Sequence, residues 1–499
     1  MTTERQIVQE DYIWKTDPYE HQREVFLRSR DLPAFAYLMG MGTGKTKVTI
    51  DDAAYNYRKG VINCLVVVAP NGVHRNWVSR EIPTHMPDWT NYRSAIWAST
   101  MKKAEGKIVE SLLDHEFKGL RIITFNIEAF RDSTKCKAAL LVRKLCNSFN
   151  VMLVIDESSK IKTPGAKRTR ALITLGKQAV IKRILTGTPV TNGPLDIFSQ
   201  FQFLGNLLGF DNFYSFKHHF AEWEQERNFR TGQRYEVLKG YRNIEELISL
   251  IDTHGYRITK EECLDLPEKI YTTRYVEMTT VQRKAYNDIV ERSLIELEGG
   301  EEMSVPNVLT KALRLQQVLG GFLPKEEYAP ATAIEEKNAR IDCMMEILEE
   351  AEGKVIIWAR FRAELAAIED ALRKKYGKES VVSYHGGVAK DVREVNMDTF
   401  QDKESSVRFF VGQQHSGGYG LTLHAATTVI YYSNDFSLEA RLQSEDRAHR
   451  IGQHHSVLYV DIECLGTIDT KILEALRSKK SLADIVTRDS IRLLLARAA

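Results

Sequence analysis

Apolar residues in this chain gather into short unbroken runs rather than alternating with polar ones. PAFAYL (33–38), CLVVVAP (64–70), LRIITF (120–125), VMLVID (151–156) and IKRILTG (181–187) all read this way. Such runs predict strands buried on both faces, as in a parallel sheet covered by helices. Helical patterns separate them, the clearest being KTKVTIDDAAYNYRK (45–59), an amphipathic helix predicted to end at Gly60. The same rhythm returns at KVIIWA (354–359), ESVVSY (379–384), VRFFVG (407–412), TTVIYYS (427–433) and SVLYVDI (456–462). The predicted fold class is therefore α/β, with two parallel-sheet lobes in tandem and a helical projection between them.

Boundaries follow from where the rhythm stops. Residues 1–256 form the first lobe, with the projection at about 205–253, where aromatic and charged residues alternate with a helical pattern. Residues 257–278, with one proline and alternating charge, read as the connection; 279–499 form the second lobe, with a helical lead-in at 279–351 and a mobile stretch near 320–335.

Composition narrows the setting more than the chemistry. The 499 residues are 43% apolar and 27% charged, ordinary for a globular protein with ample core. A formal charge of +2 means that any nucleic-acid surface must be local. The six cysteines never approach CxxC spacing, which argues against zinc and a disulfide framework. The charged start, MTTERQIVQEDYIWK, does not read as a signal peptide, and no apolar run approaches membrane-spanning length. A cytoplasmic protein, or a nuclear one in a eukaryote, is expected, without membrane association and monomeric.

Chemistry concentrates where strands end. GMGTGKT (40–46) lies between a strand and a helix. Gly40, Gly42 and Gly44 allow backbone amides, with Thr43, to close around a triphosphate at the positive end of the helix. Lys45 would reach the β/γ-phosphates and Thr46 would place its hydroxyl on Mg²⁺. Met39 stands where the usual spacing has its first glycine. VIDE (154–157) ends a buried strand with two carboxylates, Asp156 for Mg²⁺ through its water shell and Glu157 to polarise the attacking water. In DRAHR (446–450), Arg447 and Arg450 are one helical turn apart and predicted to share a face, aimed at the γ-phosphate, with Gln443 and Asp446 on the same helix to orient them. Gln22, in YEHQ (19–22), is a candidate reader of adenine, since an amide both donates and accepts.

Other segments remain open between two readings. LTGTP (185–189) offers Thr186 and Thr188 as a relay toward a nucleic-acid surface, or simply a strand-end turn. KIKTPGAKRTR (160–170) has five basic residues, among them Lys160, Lys162, Lys167 and Arg168, which would track phosphates or merely begin a solvated helix. The loop HSGGYGLTL (415–423) would approach a polymer backbone through Gly417 and Gly418. Trp77 reads first as a core residue.

The set GMGTGKT, DESSKIK, LTGTPVTNGPLDIFSQFQFL, RITKEECLDLPEK, SGGYGLTLHAATTVI and QSEDRAHRIGQ resembles the Swi/Snf-type DNA-dependent ATPases of helicase superfamily 2, from about residue 15 to about 480. GLTL, in place of the commoner glycine-isoleucine-asparagine form, is similar to the branch containing annealing helicases. The resemblance implies two RecA-like lobes, ATP and Mg²⁺, and translocation along double-stranded or branched DNA. It carries over onto Gln22, Gly42, Gly44, Lys45, Thr46, Asp156, Glu157, Gln443, Arg447 and Arg450. Where the family has a small residue and histidine after the acidic pair, this chain has Ser158 and Ser159. A strand-separating helicase on DNA or RNA, and a non-cycling ATP-gated scaffold, are the rival expectations. The lack of further recognition modules in this sequence resembles a compact bacterial or phage motor.

Overall fold

In the computed structural model, residues 12–478 are described, apart from 72, 132–135, 191–192, 228–231, 233, 265, 299–304, 324–331, 336, 415–420 and 451. The chain forms two compact units, Met1–Leu264 and Asp265–Ala499.

The first unit is built on strands β1 (Ala34–Met39), β2 (Cys64–Ala69), β3 (Tyr92–Ile96), β4 (Leu120–Asn126), β5 (Val151–Asp156) and β6 (Ile181–Leu185), with hairpin strands β7 (Ala221–Arg227) and β8 (Arg234–Tyr241), and β9 (Gly255–Ile258). Seven of these make one sheet in the order β3-β4-β2-β5-β6-β1-β9, every pair parallel. Strands β2 and β5 are buried at every position, as uninterrupted Val, Ile and Leu require when helices cover both faces. Helix α1 (Glu20–Ser29) precedes β1, and α2 (Lys45–Arg58) follows it.

One sealed ion pair fixes these helices on the sheet. Arg183 of β6 donates to Asp52 of α2 at 2.7 Å, with both side chains fully buried. Tyr37 of β1 also donates to Asp52, at 2.8 Å, and Arg183 donates to the Ser29 and Leu32 carbonyls at 2.9 Å. Burial pushes the Asp52 carboxyl up, and the Arg183 charge opposes it. A pair so enclosed is satisfied only if every donor finds its acceptor, so it fixes the register of α2 against β1 and β6.

The projection is not wholly helical. Between the helices Phe213–Phe220 and Ile244–His254 runs the antiparallel β7–β8 hairpin. Its sequences, AEWEQER and RYEVLKGY, pair from Ala221 with Tyr241 to Arg227 with Arg234, with one irregularity between Glu222 and Trp223. Lys239 pairs with Glu224 at 2.8 Å and Glu226 at 3.3 Å, support that a strand pair provides and a helix would not.

The second unit contains β10 (Lys269–Val276), the short ribbon β11 (Phe322–Leu323) and β12 (Thr332–Ala333), then β13 (Lys354–Trp358), β14 (Val381–Tyr384), β15 (Phe409–Gly412), β16 (Ala426–Tyr431) and β17 (Val457–Cys464). Its six-stranded sheet, β10-β17-β16-β13-β15-β14, is again parallel throughout. Helices Thr280–Glu298, Val305–Leu319 and Ala339–Glu350 supply the helical lead-in; of the stretch near 320–335, residues 324–331 lie outside the described residues. Residues read as connection take part in both sheets, since Gly255–Ile258 pairs with β1 and Lys269–Val276 pairs along its length with β17. Among the described residues, no helix is long and apolar enough to cross a membrane.

Candidate functional site

The loop after β1 is shaped by its glycines. Gly42 and Gly44 have φ of 76° and 90°, where a side chain is strained. A Cβ on Gly44 would lie 2.1 Å from Gln22 Nε2, and one on Gly40 would lie 3.0 Å from the Lys260 backbone nitrogen. The Gly40 amide donates to the Ile258 carbonyl at 2.8 Å, so the residues after β9 back the loop. Thr43 donates its hydroxyl to the Gly40 carbonyl at 2.7 Å. Lys45 Nζ bends back over the loop to the Met39 and Gly40 carbonyls, at 2.8 and 2.9 Å. Thr46 follows in the first turn of α2, where free amides and the helix dipole favour an anion.

Gln22 is committed to this loop. Its Oε1 accepts from the Tyr19 amide at 3.1 Å, and its Nε2 donates to the Thr43 carbonyl at 2.9 Å. His21 Nε2 meets the same carbonyl at 2.8 Å. One edge of the amide expected to read adenine therefore holds the phosphate loop, and the other caps its own helix α1 at Tyr19.

At the end of β5, Asp156 and Glu157 are 9% and 7% exposed. Burial raises the Asp156 carboxyl, while the Trp77 indole, the Lys45 charge and the Glu157 backbone amide pull the other way. Lys45 and Asp156 thus feel one another. Trp77 donates its indole N–H to Asp156 Oδ2 at 2.9 Å. Glu157 sits in the left-handed region, φ 58° and ψ 61°, which turns the chain out of the strand into the 3₁₀ turn Ser158–Ile161. Its Oε1 accepts from Ser159 at 3.0 Å and from Thr186 at 3.2 Å. Ser158 donates to Gln200 Oε1 at 2.7 Å, and Gln200 Nε2 donates to the Pro189 and Asp196 carbonyls at 2.7 and 2.9 Å. Ser158, through Gln200, and Glu157, through Thr186, thus link the acidic strand end to the segment after β6.

In the second unit, the arginines do not share a helical face. The helix Leu438–Ala448 stops before Arg450, because His449 leaves the helix at φ −95° and ψ 84°. There His449 Nε2 is held at 2.6 Å by the Pro267 carbonyl, and Gly452 turns left-handed at φ 97°. Arg447 is 5% exposed, its guanidinium 5.7 Å from the centre of the Trp358 ring. Arg450 Nη1 donates to the Leu421 carbonyl at 3.0 Å. Gln443 donates to Glu439, one turn away, at 3.0 Å. Gln453 gathers the segment, donating to the His424 and Ala426 carbonyls at 3.0 and 2.9 Å.

The nucleic-acid candidates fare unevenly. Lys160 and Lys162 are half-buried, Lys162 lying 3.6 Å from Asp196, and Lys167 and Arg168 open the helix Lys167–Gly176. Thr186 is fully buried against Glu157, so it presents nothing to a polymer directly. Gly417 and Gly418 lie outside the described residues. Sequence reasoning passed over His21 and Gln200, for which no spacing rule exists, and marked Ser159 only as a departure from the family pattern. It weighed Trp77 mainly as core, although a buried indole N–H requires an acceptor.

Known proteins are similar to this chain along most of its length. The family model of the SNF2-related domain matches residues 38–320, more than half the chain, and that of the helicase conserved C-terminal domain matches residues 337–452. The CHD3-type chromatin-remodeling factor PICKLE of Arabidopsis thaliana is 26% identical over 475 residues, covering 89% of this chain and 32% of that protein. An uncharacterized ATP-dependent helicase of Mycoplasma pneumoniae is 26% identical over 472 residues, covering 93% of this chain and 41% of that protein. The chain spans roughly a third to two-fifths of these relatives' length. Among solved structures, the Sulfolobus solfataricus SWI2/SNF2 ATPase core in complex with dsDNA is 24% identical, with a TM-score of 0.41, covering 98% of this chain and 99% of that one.

Proposed function

The chain belongs to the SNF2-related family, and from that premise we propose that it is a DNA-dependent ATPase that moves along double-stranded DNA and remodels protein–DNA complexes, forks or recombination intermediates. The observation that carries this reading is the gathering of a glycine-shaped loop, Lys45 and the Asp156–Glu157 pair at the strand ends of one parallel sheet, with the Lys45 charge felt at Asp156.

The loop amides and Lys45 would bind the triphosphate, Lys45 exchanging its backbone carbonyls for phosphate oxygens. Thr46 and Asp156 are oxygen donors suited to a hard cation. No group of three or more His, Cys, Asp or Glu among the described residues would hold a metal alone. Mg²⁺ would therefore sit on these two residues and on the phosphates, where it would neutralise charge on the transferred group. Glu157 would orient and deprotonate the attacking water, its carboxylate steadied by Ser159 and Thr186. Arg447 and Arg450 are assigned to the charge that develops on the γ-phosphate, and Gln443 to their support.

Lys160, Lys162, Lys167 and Arg168 would follow one phosphate backbone, a contact that tolerates any sequence and weakens with salt. The test is ATP turnover on duplex, single-stranded, forked and RNA substrates at one stated salt concentration. Duplex or forked DNA should stimulate most, and stimulation should fall steeply as salt rises. Turnover indifferent to DNA, or highest with RNA, would overturn the track.

One observation favours a second reading, a strand-separating helicase. The β7–β8 hairpin is the kind of element that could part a duplex, though it carries Glu222, Glu224, Glu226 and Glu236, which repel phosphates. A strand-displacement assay on a tailed duplex decides between them, since a motor that only tracks the duplex leaves the strands paired.

A further inference from the structure

We infer that Trp77 is a positioning residue of the metal site, holding one oxygen of Asp156 so that the carboxylate meets Mg²⁺ in a fixed orientation. The inference rests on the nucleotide reading above and adds to it a residue outside the loop and the acidic pair.

The placement has a physical cause in the chain. Strand β2 runs beside β5, with Val68 opposite Ile155, so the segment leaving β2 passes the end of β5 where Asp156 stands. That segment is helical in three pieces: Val73–Asn76, a π-helical turn Trp77–Glu81, and Ile82–His85. Pro83 explains the middle piece. It has no N–H to give the Ser79 carbonyl, so an ordinary α-helical ladder fails there. The chain widens instead by one residue, and the Ile82 amide reaches back five residues to the Trp77 carbonyl. The backbone at Trp77 is fixed by that wider turn, and the ring is fully buried.

The indole N–H is a donor with no accepting role and one direction. It meets Asp156 Oδ2 at 2.9 Å, which commits that oxygen and sets the rotation of the carboxylate. Asp156 is itself 9% exposed, so no bulk water would replace a lost donor. A carboxylate held at one oxygen presents the other in a constant direction, which a cation demanding near-octahedral geometry rewards. Groups that orient a metal ligand characteristically change metal affinity by roughly ten- to a hundredfold.

The experiment is titration calorimetry of ADP binding, with Mg²⁺ and with EDTA, on the whole chain without DNA. In Trp77→Phe, the Mg²⁺-dependent gain in ADP affinity should shrink about tenfold, while Mg²⁺-free ADP binding stays within about twofold. In an Asp156→Ala background the same substitution should do nothing further to the Mg²⁺ dependence. If Trp77→Phe does not fold, the link is read from the acceptor side by NMR of ¹⁵N-tryptophan-labelled protein, which has six indoles. One indole N–H resonance should shift on Asp156→Ala, and the same resonance should respond to Mg²⁺-ADP in the wild type. Unchanged Mg²⁺ dependence in Trp77→Phe, equal losses with and without Mg²⁺, or no shared indole resonance would each overturn the role of Trp77. A wild-type chain showing no Mg²⁺-dependent ADP binding would overturn the nucleotide reading and this proposal with it.

Discussion

The two units assemble their strand-end chemistry by opposite means. In the first, the backbone does the shaping: glycines at positive φ, a lysine lying on carbonyls, and Glu157 in the left-handed region. In the second, side chains do it. Arg447 lies over Trp358, Arg450 holds a carbonyl of the segment before β16, and Arg441 is sealed between Asp461 at 2.6 Å and Glu445 at 2.8 Å, with its guanidinium 3.5 Å from the centre of the Tyr431 ring. Backbone shape demands particular residues at particular spacings. Side-chain brackets demand only that each charge finds a partner, and many sequences meet that condition.

The sharpest test of the contrast is Lys45→Ala. Removing a cation that no backbone group replaces should reduce ATP turnover to background, a loss of about 10³-fold or more, read by phosphate release. A mutant retaining a tenth of wild-type turnover would show that the loop amides suffice without it.

Next come Arg447→Ala and Arg450→Ala. On the role proposed for them, each should lower kcat by about a hundredfold with little change in KM, because charge on the γ-phosphate would develop only in the transition state. Should KM rise while kcat holds, the arginines serve ground-state binding, or only the packing described here.

A smaller effect is expected where the backbone-shaped site depends on side chains. Ser159→Ala or Thr186→Val removes one donor to Glu157 and should cost about tenfold in kcat, with nucleotide affinity kept. Faster turnover without DNA would instead mean that these hydroxyls restrain the carboxylate.

The smallest effect is on stability against acid. Burial lowers the His85 imidazole to about 4, helped by the Lys47 and Lys15 charges, while Thr16 meets its ring nitrogen at 2.8 Å and Glu81 lies 3.8 Å away. At His85 the folded state thus binds fewer protons than the unfolded one between about pH 4 and the ordinary histidine value near 6.5, so the stability this residue contributes drops as pH falls through that window, whereas Asp51, raised to about 6 by burial, acts in the opposite direction. His385 and His424 of the second unit are lowered in the same direction, so wild type alone cannot apportion the loss. His85→Gln should flatten the slope of melting temperature against pH between 6.5 and 4, and an unchanged slope would place the acid sensitivity elsewhere.

The same contrast explains what could be read from the chain. The central strands were legible because burial on both faces leaves continuous apolar runs; Cys64–Ala69 and Val151–Asp156 match within a residue. Three of the four edge strands were not, Val381–Tyr384 being the exception. Tyr92–Ile96 and Lys269–Val276 expose one face or more, and their mixed polarity reads as loop or linker. The hairpin in the projection escaped because its charged residues suit a helix equally well until cross-strand pairs are known. At the site, the loop, Asp156 and Glu157 were visible as spacing. The end of the arginine helix was not, since His449 breaks it through a contact with Pro267, far back in the chain.

Glu157 carries one more consequence. A residue with a Cβ in the left-handed region costs on the order of 1–2 kcal/mol, and glycine would not incur it. The residue assigned to the attacking water is therefore one where heat tolerance and the proposed activity would select in opposite directions. Directed evolution of this chain toward higher melting temperature would draw position 157 toward glycine or asparagine and enrich well-folded proteins that have lost the carboxylate. Any such campaign needs a turnover screen at every round, and survival on heating alone is a misleading guide to which variants still work.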